Sequence, residues 1–333
     1  MTRLVQIQRG SERRVALVEE PRLRLLAGIS SVHELAYEAA AAGTPLTELV
    51  ARRAGRDSLD YDPVYQGGSE WRLLPPIGHF TDSARCLVSG TGLTHLGSAK
   101  NRAAMHGASD ADMTDSMRMF RWGVEGGRPA PGQVGAAPEW FYKGSGGILR
   151  APNETLDVPP YAEDGGEEAE IAGVYIIDRE GRPLRIGMAM GNEFSDHKFE
   201  RRNYLNLAGS KIRTCSIGPE LVIDPSFASV SGSVSIERGG KALWEQPIQS
   251  GEAEMCHSLA NIEHHHFKFE THRRPGDLHV HYYGAHSLSF GAGLQLADGD
   301  VMIVSYAGFG RPLRNPLRIV PGPAALVAVR SMG

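Results

Sequence analysis

The sequence predicts a mostly β protein of the α+β class, and two observations support this prediction. The 333 residues include 40 glycines and 20 prolines, a composition that indicates many turns. Short apolar segments between these turns recur along most of the chain, whereas helical patterns are few. We predict a small N-terminal α/β domain over residues 1–78 and a larger, strand-rich domain over residues 79–333.

The N-terminal domain begins with two predicted strands, LVQIQ and RRVALVEE. A helical pattern follows in SVHELAYEAAAAGTPLTELVARRAG, where Val32, Leu35, Ala36 and Ala39 form one apolar face. The proline-rich stretch LLPPIGH then indicates a junction between the two domains.

The second domain is predicted to contain a β-hairpin, AEIAGVYIID and PLRIGMAMGNEF around the turn REGR. Helices are predicted in three places. They are GSAKNRAAMH, TDSMRMFRWG and MCHSLANIEHHHF. The other predicted strands are RCLVSGTGLTH, EWFYKG, CSIGPELVID, SGSVSIERGG, LHVHYY and GDVMIVSYAGFG.

Charge and composition restrict the class of protein. The formal net charge is −4, so no basic surface indicates a nucleic acid or an anionic membrane as partner. No apolar run reaches the length of a membrane span, and the first residues lack the apolar stretch of a secretory signal. The three cysteines are odd in number and widely spaced, which is typical of reduced thiols. We therefore expect a cytoplasmic protein.

A histidine-rich segment spans residues 260–284. His264, His265 and His266 are consecutive, so on a helix they fan out by about 100° each and do not face one ion. We expect His266 to pack and at least one of the other two to face solvent. His279 and His281 alternate on a predicted strand and share a face, so they could bind a metal, line a pocket or simply pack.

An acidic pair is a stronger candidate for chemistry. Glu168 and Glu170 alternate at the start of a predicted strand, so both carboxylates emerge on one face. Oxygen ligands of this kind suit Mg²⁺, with Mn²⁺ as an alternative, and a cation relieves the repulsion between them. A solvated acidic turn is the competing interpretation.

Four segments in order resemble the fumarylacetoacetate hydrolase superfamily: GGEEAEIAGVYII, GNEFSDHKFE, SKIRTCSIGPEL and GDVMIVSYAGFGRPLRNPL. The resemblance covers roughly residues 84–320. It implies a mixed β-roll/β-sandwich catalytic domain over residues 79–333 and a homodimer or dimer-based assembly. It also implies metal ligation by Glu168, Glu170 and Glu193 and a catalytic role for Lys211, eighteen positions after Glu193. Lys143 of WFYKG matches an aromatic-lysine strand that contacts substrate.

Departures from the family pattern favour a dehydratase branch that acts on sugar acids. Hydrolase members have a histidine on a short helix, and Ser98 of GLTHLGSAKNR stands near that position. His95 is our candidate for the base, with His106 as a substitute and a purely structural histidine as the alternative. Ser98, Arg118, Tyr283 and Gly284 are the further candidates for substrate binding, although Tyr283-Gly284 matches the family's T-G-T loop only loosely.

The sequence thus predicts a Mg²⁺-dependent dehydratase of a 2-keto-3-deoxy sugar acid, such as a pentonate, that forms 2-oxoglutarate semialdehyde. The partner is then a small-molecule 2-keto acid, with no nucleic acid and no membrane. Two alternatives remain open at this level. One is a hydrolase or decarboxylase of an acylpyruvate-like diketo acid, and the other is a non-catalytic protein that binds sugar acids.

Overall fold

A computed structural model describes residues 1–97 and 114–333, and the larger of its two sheets runs through both predicted domains. Within these residues thirteen strands form this sheet, with the main order β4-β3-β2-β1-β13-β11-β10-β16-β6-β7. Its strands are β1 (Thr2–Arg9), β2 (Glu12–Glu19), β3 (Arg22–Leu26), β4 (Ala54–Asp60), β5 (Arg72–Leu74), β6 (Cys86–Gly92), β7 (Glu139–Ser145), β8 (Leu149–Arg150), β10 (Ala169–Ile177), β11 (Pro183–Asn192), β12 (Cys215–Ile217), β13 (Leu221–Ile223) and β16 (Leu278–Tyr282).

A second sheet of five strands packs on the first, in the order β15-β14-β17-β18-β9. The segment of β15 was not predicted to be a strand. Nearly all of its first seven side chains are exposed, so apolar and polar residues do not alternate there, and Pro247 also disfavours a strand. The strands of this sheet are β9 (Leu156–Val158), β14 (Val230–Arg238), β15 (Lys241–Ser250), β17 (Val301–Tyr306) and β18 (Leu313–Ile319).

Helices are short and lie at the sheet surfaces. The long helical pattern of the N-terminal domain forms two helices, because Gly43 ends the first in a left-handed conformation with φ 60° and Pro45 begins the second. None of the helices in the described ranges is long and apolar enough to cross a membrane. The helices are α1 (Val32–Ala42), α2 (Leu46–Arg53), α3 (Tyr61–Gln66), α4 (Asp115–Gly126), α5 (His197–Arg202), α6 (Leu207–Lys211) and α7 (Leu259–Phe267).

The N-terminal strands are continuous with the rest of the large sheet. Strand β1 pairs with β13 through Thr2–Ile223, Arg3–Val222 and Leu4–Leu221. The predicted mostly β, α+β fold class is confirmed. A domain division after residue 78 stays a prediction.

Alternation along β10 separates two environments. Ala172, Val174 and Ile176 belong to a core cluster that also contains Tyr282 of β16. Ala169 and Ile171 point to the opposite face and pack in the cluster that contains Tyr283. Side chains with even numbers on β10 therefore share a face with Tyr282, and those with odd numbers share a face with Tyr283.

The histidine-rich segment forms a buried cluster on the Tyr283 face. This four-histidine cluster consists of His266, His272, His279 and His281. His266 Nε2 lies 2.9 Å from His279 Nδ1, and His281 Nδ1 lies 2.8 Å from Ser89 Oγ. His264 is exposed whereas His265 is buried, which agrees with the expectation that one of them faces solvent.

Burial controls the protonation of this cluster. It lowers the pKa of His279 and of His281 to about 3 in each case, and neighbouring histidines lower both pKa values further. Burial also lowers the pKa of His266 well below its usual value. His266, His279 and His281 are therefore neutral at physiological pH and serve as packed, hydrogen-bonded core residues.

Replacing His279 by Gln should weaken the acid sensitivity of the fold. The unfolded chain takes up a proton at this site near pH 6.5, but the folded chain does so only near pH 3, so stability falls as the pH drops between these values. In wild-type protein this histidine should cost about 2 kcal/mol of unfolding free energy between pH 7.5 and pH 5. Urea unfolding at both pH values should show that loss reduced in His279→Gln.

The exposed His264 provides the matched control for this experiment. His264→Gln should keep the pH dependence of wild-type stability. If both variants lose the same free energy between the two pH values, then burial of His279 does not govern the acid response.

Candidate metal centre and active site

Three glutamates meet at one end of the β10–β11 hairpin. Ala169 pairs with Asn192 in this hairpin, which places Glu168 and Glu170 beside Glu193. One carboxylate oxygen from each of the three lies within 4.8 Å of the others, and all three residues are buried. Their spacing follows from strand alternation on β10 and from the antiparallel register.

Lys211 closes this group of carboxylates from the end of α6. Its Nζ lies 2.5 Å from Glu168 Oε1, 2.7 Å from Glu193 Oε2 and 2.9 Å from Ser195 Oγ. Burial alone would lower the pKa of Lys211, but the charges of Glu168 and Glu193 raise it well above its usual value. The side chain is therefore an ammonium ion.

Lys143 approaches Glu193 from the other side. The ladder between β6 and β7 pairs Val88 with Gly144 and Ser89 with Tyr142, so Lys143 is the extra residue of a β-bulge. Its fully buried Nζ lies 2.6 Å from Glu193 Oε1 and donates to Phe194 O at 2.8 Å. The bulge thus directs the Lys143 side chain into the carboxylate group.

Glu170 has a different environment from the other two glutamates. Its Oε2 accepts a hydrogen bond from the Gly284 N–H at 2.7 Å. Burial and the charges of Glu168 and Glu193 raise the pKa of Glu170 well above its usual value. Gly284 has φ 99°, a conformation that favours glycine, so this N–H contact depends on the residue type.

His197 contacts the carboxylate of Glu168, and Asp196 holds the loop that contains His197. His197 Nε2 lies 3.1 Å from Glu168 Oε1, and its ring packs on Phe290. Asp196 accepts hydrogen bonds from the N–H groups of Glu163 and Phe199 at 2.9 and 3.0 Å. These contacts fix the loop after β11 and hold the imidazole against the carboxylate.

The donor set fits a divalent cation that prefers oxygen ligands. Two lysines only partly neutralise three carboxylates, and the pKa of Glu170 is raised first by burial and then by the charges of Glu168 and Glu193. A hard cation such as Mg²⁺ relieves repulsion of this kind and takes carboxylate oxygens as ligands. Glu168, Glu170 and Glu193 are the residues that would hold it.

Glu139 is a buried acidic residue that the sequence analysis did not single out. It lies on β7, on the same face as Phe141, whose ring centroid is 4.8 Å from Lys211 Nζ. A Cβ atom on Gly92 would come within 1.8 Å of Glu139 Oε1, so the absence of a side chain there leaves space for this carboxylate. Tyr204 donates to Glu139 Oε2 at 3.0 Å. The alternation of Glu139, Phe141 and Lys143 was the signal available in the sequence.

His95 is buried beside Gly284. Its Nδ1 lies 3.0 Å from Thr94 Oγ1 and its Nε2 lies 3.1 Å from Ser250 Oγ. Burial lowers the pKa of His95 to about 3, with a smaller contribution from the charge of His286. The structure thus places a neutral imidazole next to the glycine that contacts Glu170.

Two other predicted substrate residues, Arg118 and Tyr283, are not brought to the carboxylates. Arg118 is exposed on α4, where it donates to Asp115 at 2.7 Å. The Tyr283 hydroxyl lies 2.5 Å from that of Tyr175 on the opposite face of the sheet, with the four-histidine cluster. Ser98 lies outside the described residues, as does His106.

Comparison of the fold with solved structures gives clear matches. The structure of a 2-keto-3-deoxy-D-arabinonate dehydratase complexed with magnesium and 2,5-dioxopentanoate has a TM-score of 0.70 at 16% identity, and the match covers 96% of this chain and 100% of that chain. A 2-hydroxyhepta-2,4-diene-1,7-dioate isomerase from Mycobacterium marinum has a TM-score of 0.58 at 18% identity, with 96% and 99% covered.

Comparisons of the sequence, by contrast, find no match. No model of a known protein family matches the chain, and no curated protein matches it significantly. At these identities the structural likeness shows the fold alone, which this chain shares with the dehydratase and the isomerase. The resemblance predicted from the four ordered segments is therefore confirmed at the level of the fold.

Replacing Glu170 by Gln should abolish stabilisation by Mg²⁺. Gln keeps an acceptor for the Gly284 N–H but removes a charged ligand and its repulsion. At Mg²⁺ about 100-fold above its dissociation constant, the wild-type free energy of unfolding should rise by about 2.7 kcal/mol. Thermal unfolding with and without Mg²⁺ measures this difference.

Glu180, an exposed residue at the hairpin turn, is the control position. Glu180→Gln should respond to Mg²⁺ as the wild type does. An undiminished Mg²⁺ response in Glu170→Gln would remove this carboxylate from the metal centre.

Proposed function

We propose that this chain is a Mg²⁺-dependent dehydratase of a 2-keto-3-deoxy sugar acid. The observation that supports this most directly is the buried group of three glutamates with two lysines, on a fold shared with a dehydratase that binds magnesium and 2,5-dioxopentanoate. In the proposed reaction a 2-keto-3-deoxy-pentonate loses a C3 proton and its C4 hydroxyl as water. Tautomerisation then gives 2-oxoglutarate semialdehyde, which is 2,5-dioxopentanoate.

Lys211 supplies the positive charge that this reaction requires. A cation held by the three glutamates would act as a Lewis acid on the 2-keto group and so acidify the C3 protons. The Lys211 ammonium lies between Glu168 and Glu193, where it can stabilise negative charge that develops on the 2-keto oxygen. Lys143 holds Glu193 in place through its 2.6 Å ion pair and shares this buried charge.

Glu139 and His95 are the two candidates for the base that removes the C3 proton. The carboxylate of Glu139 lies on the strand face beside Phe141 and Lys211, about 7 Å along the strand from Phe141. His95 is close to Gly284, but both of its ring nitrogens are engaged by hydroxyl groups. We assign the base to Glu139, with Tyr204 orienting the carboxylate, and give His95 the role of supporting the Gly284 turn.

The proposal also includes the remaining expectations from the sequence. Gly284 and Ser98 contribute to substrate binding, and Mn²⁺ can replace Mg²⁺. The partner is a small-molecule 2-keto acid, and the assembly is a homodimer or a dimer-based homo-oligomer. A cytoplasmic location agrees with Cys86, Cys215 and Cys256, which are all buried and free of disulfides.

Incubation with 2-keto-3-deoxy-pentonates and Mg²⁺ should produce 2,5-dioxopentanoate. The aldehyde can be followed by a coupled oxidation, with each stereoisomer tested separately. Chelation of the metal should stop the reaction, and Glu170→Gln should be inactive at all Mg²⁺ concentrations that stabilise the wild type. Turnover of acylpyruvates with none of the pentonates would replace the proposal by a hydrolase, and binding without turnover of either class would replace it by a sugar-acid-binding protein.

Glutamine substitutions at the two candidate bases should have unequal effects. Glu139→Gln removes the proton acceptor but keeps the hydrogen bond from Tyr204, so we expect kcat to fall by about 10²–10⁴. His95→Gln keeps polar contacts to Thr94 and Ser250 and should change kcat much less. Steady-state kinetics with matched circular dichroism spectra measure the two effects. The reverse order of effects would assign the base to His95.

A further inference from the structure

The chain ends in an apolar segment that contacts little of the protein. Residues 324–329 read AALVAV, and we call them the C-terminal apolar segment. Leu326 is 96% exposed, Val327 85% and Val329 94%. Ahead of the segment, the Val320 N–H donates to Val158 O at 3.0 Å. All side chains from residue 321 onward are exposed.

Exposed apolar side chains of this kind gain free energy when they are buried against another surface. Burial of one Val or Leu side chain contributes roughly 1.5–3 kcal/mol, so three exposed ones leave a substantial free energy unused. Six consecutive apolar residues without a charge also promote association when uncovered. The segment therefore has the composition of a docking peptide.

A groove of matching character lies between α1 and β11, and we call it the α1–β11 groove. Its volume is about 590 Å³. Alanines of α1 and larger apolar side chains of β11 line it, together with polar residues that include Thr44 and Thr47. The lining includes Ala36, Ala39, Ala40, Leu184, Ile186 and Ile223.

One end of the groove offers a charge that complements the segment; of the other charged lining residues, Arg185 is already paired with Glu263, and Glu252 is acidic. Arg330 directly follows the apolar segment and is exposed. Asp224 lines the groove next to Ile223 and is also exposed. A bound segment that places Val329 against the apolar lining brings Arg330 towards this carboxylate.

We propose that the C-terminal apolar segment of one copy docks in the α1–β11 groove of a second copy, with Arg330 paired to Asp224. The cavity into which residues 317–322 project shares no lining residue with the α1–β11 groove. None of the surfaces in the described ranges covers the segment, and the opposite charges of Arg330 and Asp224 favour a second copy as the partner. Reciprocal exchange places two such segments in one closed, two-fold interface. This inference does not depend on the proposed catalytic function.

Disulfide trapping between two differently tagged chains tests the docking site. One chain contains Val329→Cys and the other Leu184→Cys, in the groove wall; the three native cysteines are buried and do not interfere. Mixed disulfides should form about tenfold faster than with Leu243→Cys, because docking raises the local concentration of the two thiols. Leu243 is 42% exposed on β15, outside the groove, and is the matched control.

Two results of this trapping experiment would contradict the proposal. Equal rates for Leu184→Cys and Leu243→Cys would overturn the groove as the binding site. A Val329→Cys/Leu184→Cys chain that forms only an intramolecular disulfide would assign the segment to its own body and overturn the exchange.

A double-mutant cycle tests the ion pair separately. Asp224→Asn suits the backbone at this position, where φ is 50°, and Arg330→Gln removes the opposite charge. Each variant should weaken dimerisation by about two- to fivefold, and the double variant should be no weaker than either single one. Sedimentation equilibrium measures the dissociation constants. Additive effects, or a wild-type monomer at all concentrations, would overturn the proposal.

Discussion

Three carboxylates that lie within 4.8 Å of one another in a buried site repel each other strongly, and most polar contacts around them offset that repulsion. Lys211 lies between Glu168 and Glu193, Lys143 pairs with the other oxygen of Glu193, and the Gly284 N–H contacts Glu170. Burial of charge is costly unless partners satisfy it. The polypeptide supplies most but not all of the compensating charge, and it is this deficit that makes the site suited to a divalent cation.

The pleat of the large sheet decides which side chains reach this site. Glu170 of β10 and Tyr282 of β16 lie on one face of the sheet, and Glu168 alternates with Glu170 just before β10. His279 and His281 of β16 lie on the other face, with Tyr283 directly after them. A shift of one residue in β16 would exchange its two faces and turn His279 and His281 towards the carboxylates. The dense histidines of residues 260–284 are therefore a product of core packing, and the chemistry belongs to the sparser acidic motif on the other side of the same sheet.

The sequence predicted the site residues that follow from strand alternation or from an ordered motif. It did not predict contacts between residues that are far apart in the chain. Alternation alone placed Glu168 and Glu170 together, and the ordered motifs added Glu193, Lys211 and Lys143, which the structure brings into one cluster. Glu139 was not singled out because the space it occupies depends on the absence of a side chain at Gly92. Tyr283 was assigned to the site by a loose motif match, and the pleat of the strand turns its side chain to the opposite face. The strand β15 was missed because its exposed side chains show no amphipathic pattern.

The β10–β11 hairpin connects the metal centre with the proposed interface. One end of the hairpin bears Glu168, Glu170 and Glu193, while Ile176, Leu184 and Ile186 near its other end line the α1–β11 groove. The register of the hairpin shifts between Val174 and Tyr175, which separates the two ends by a local irregularity. A segment docked in the groove would pack against the turn end of the same two strands whose opposite end sets the carboxylate spacing. Because rigid strands hold site residues more precisely than loops do, ordering of this hairpin by a second copy would also favour a fixed distance between the three glutamates.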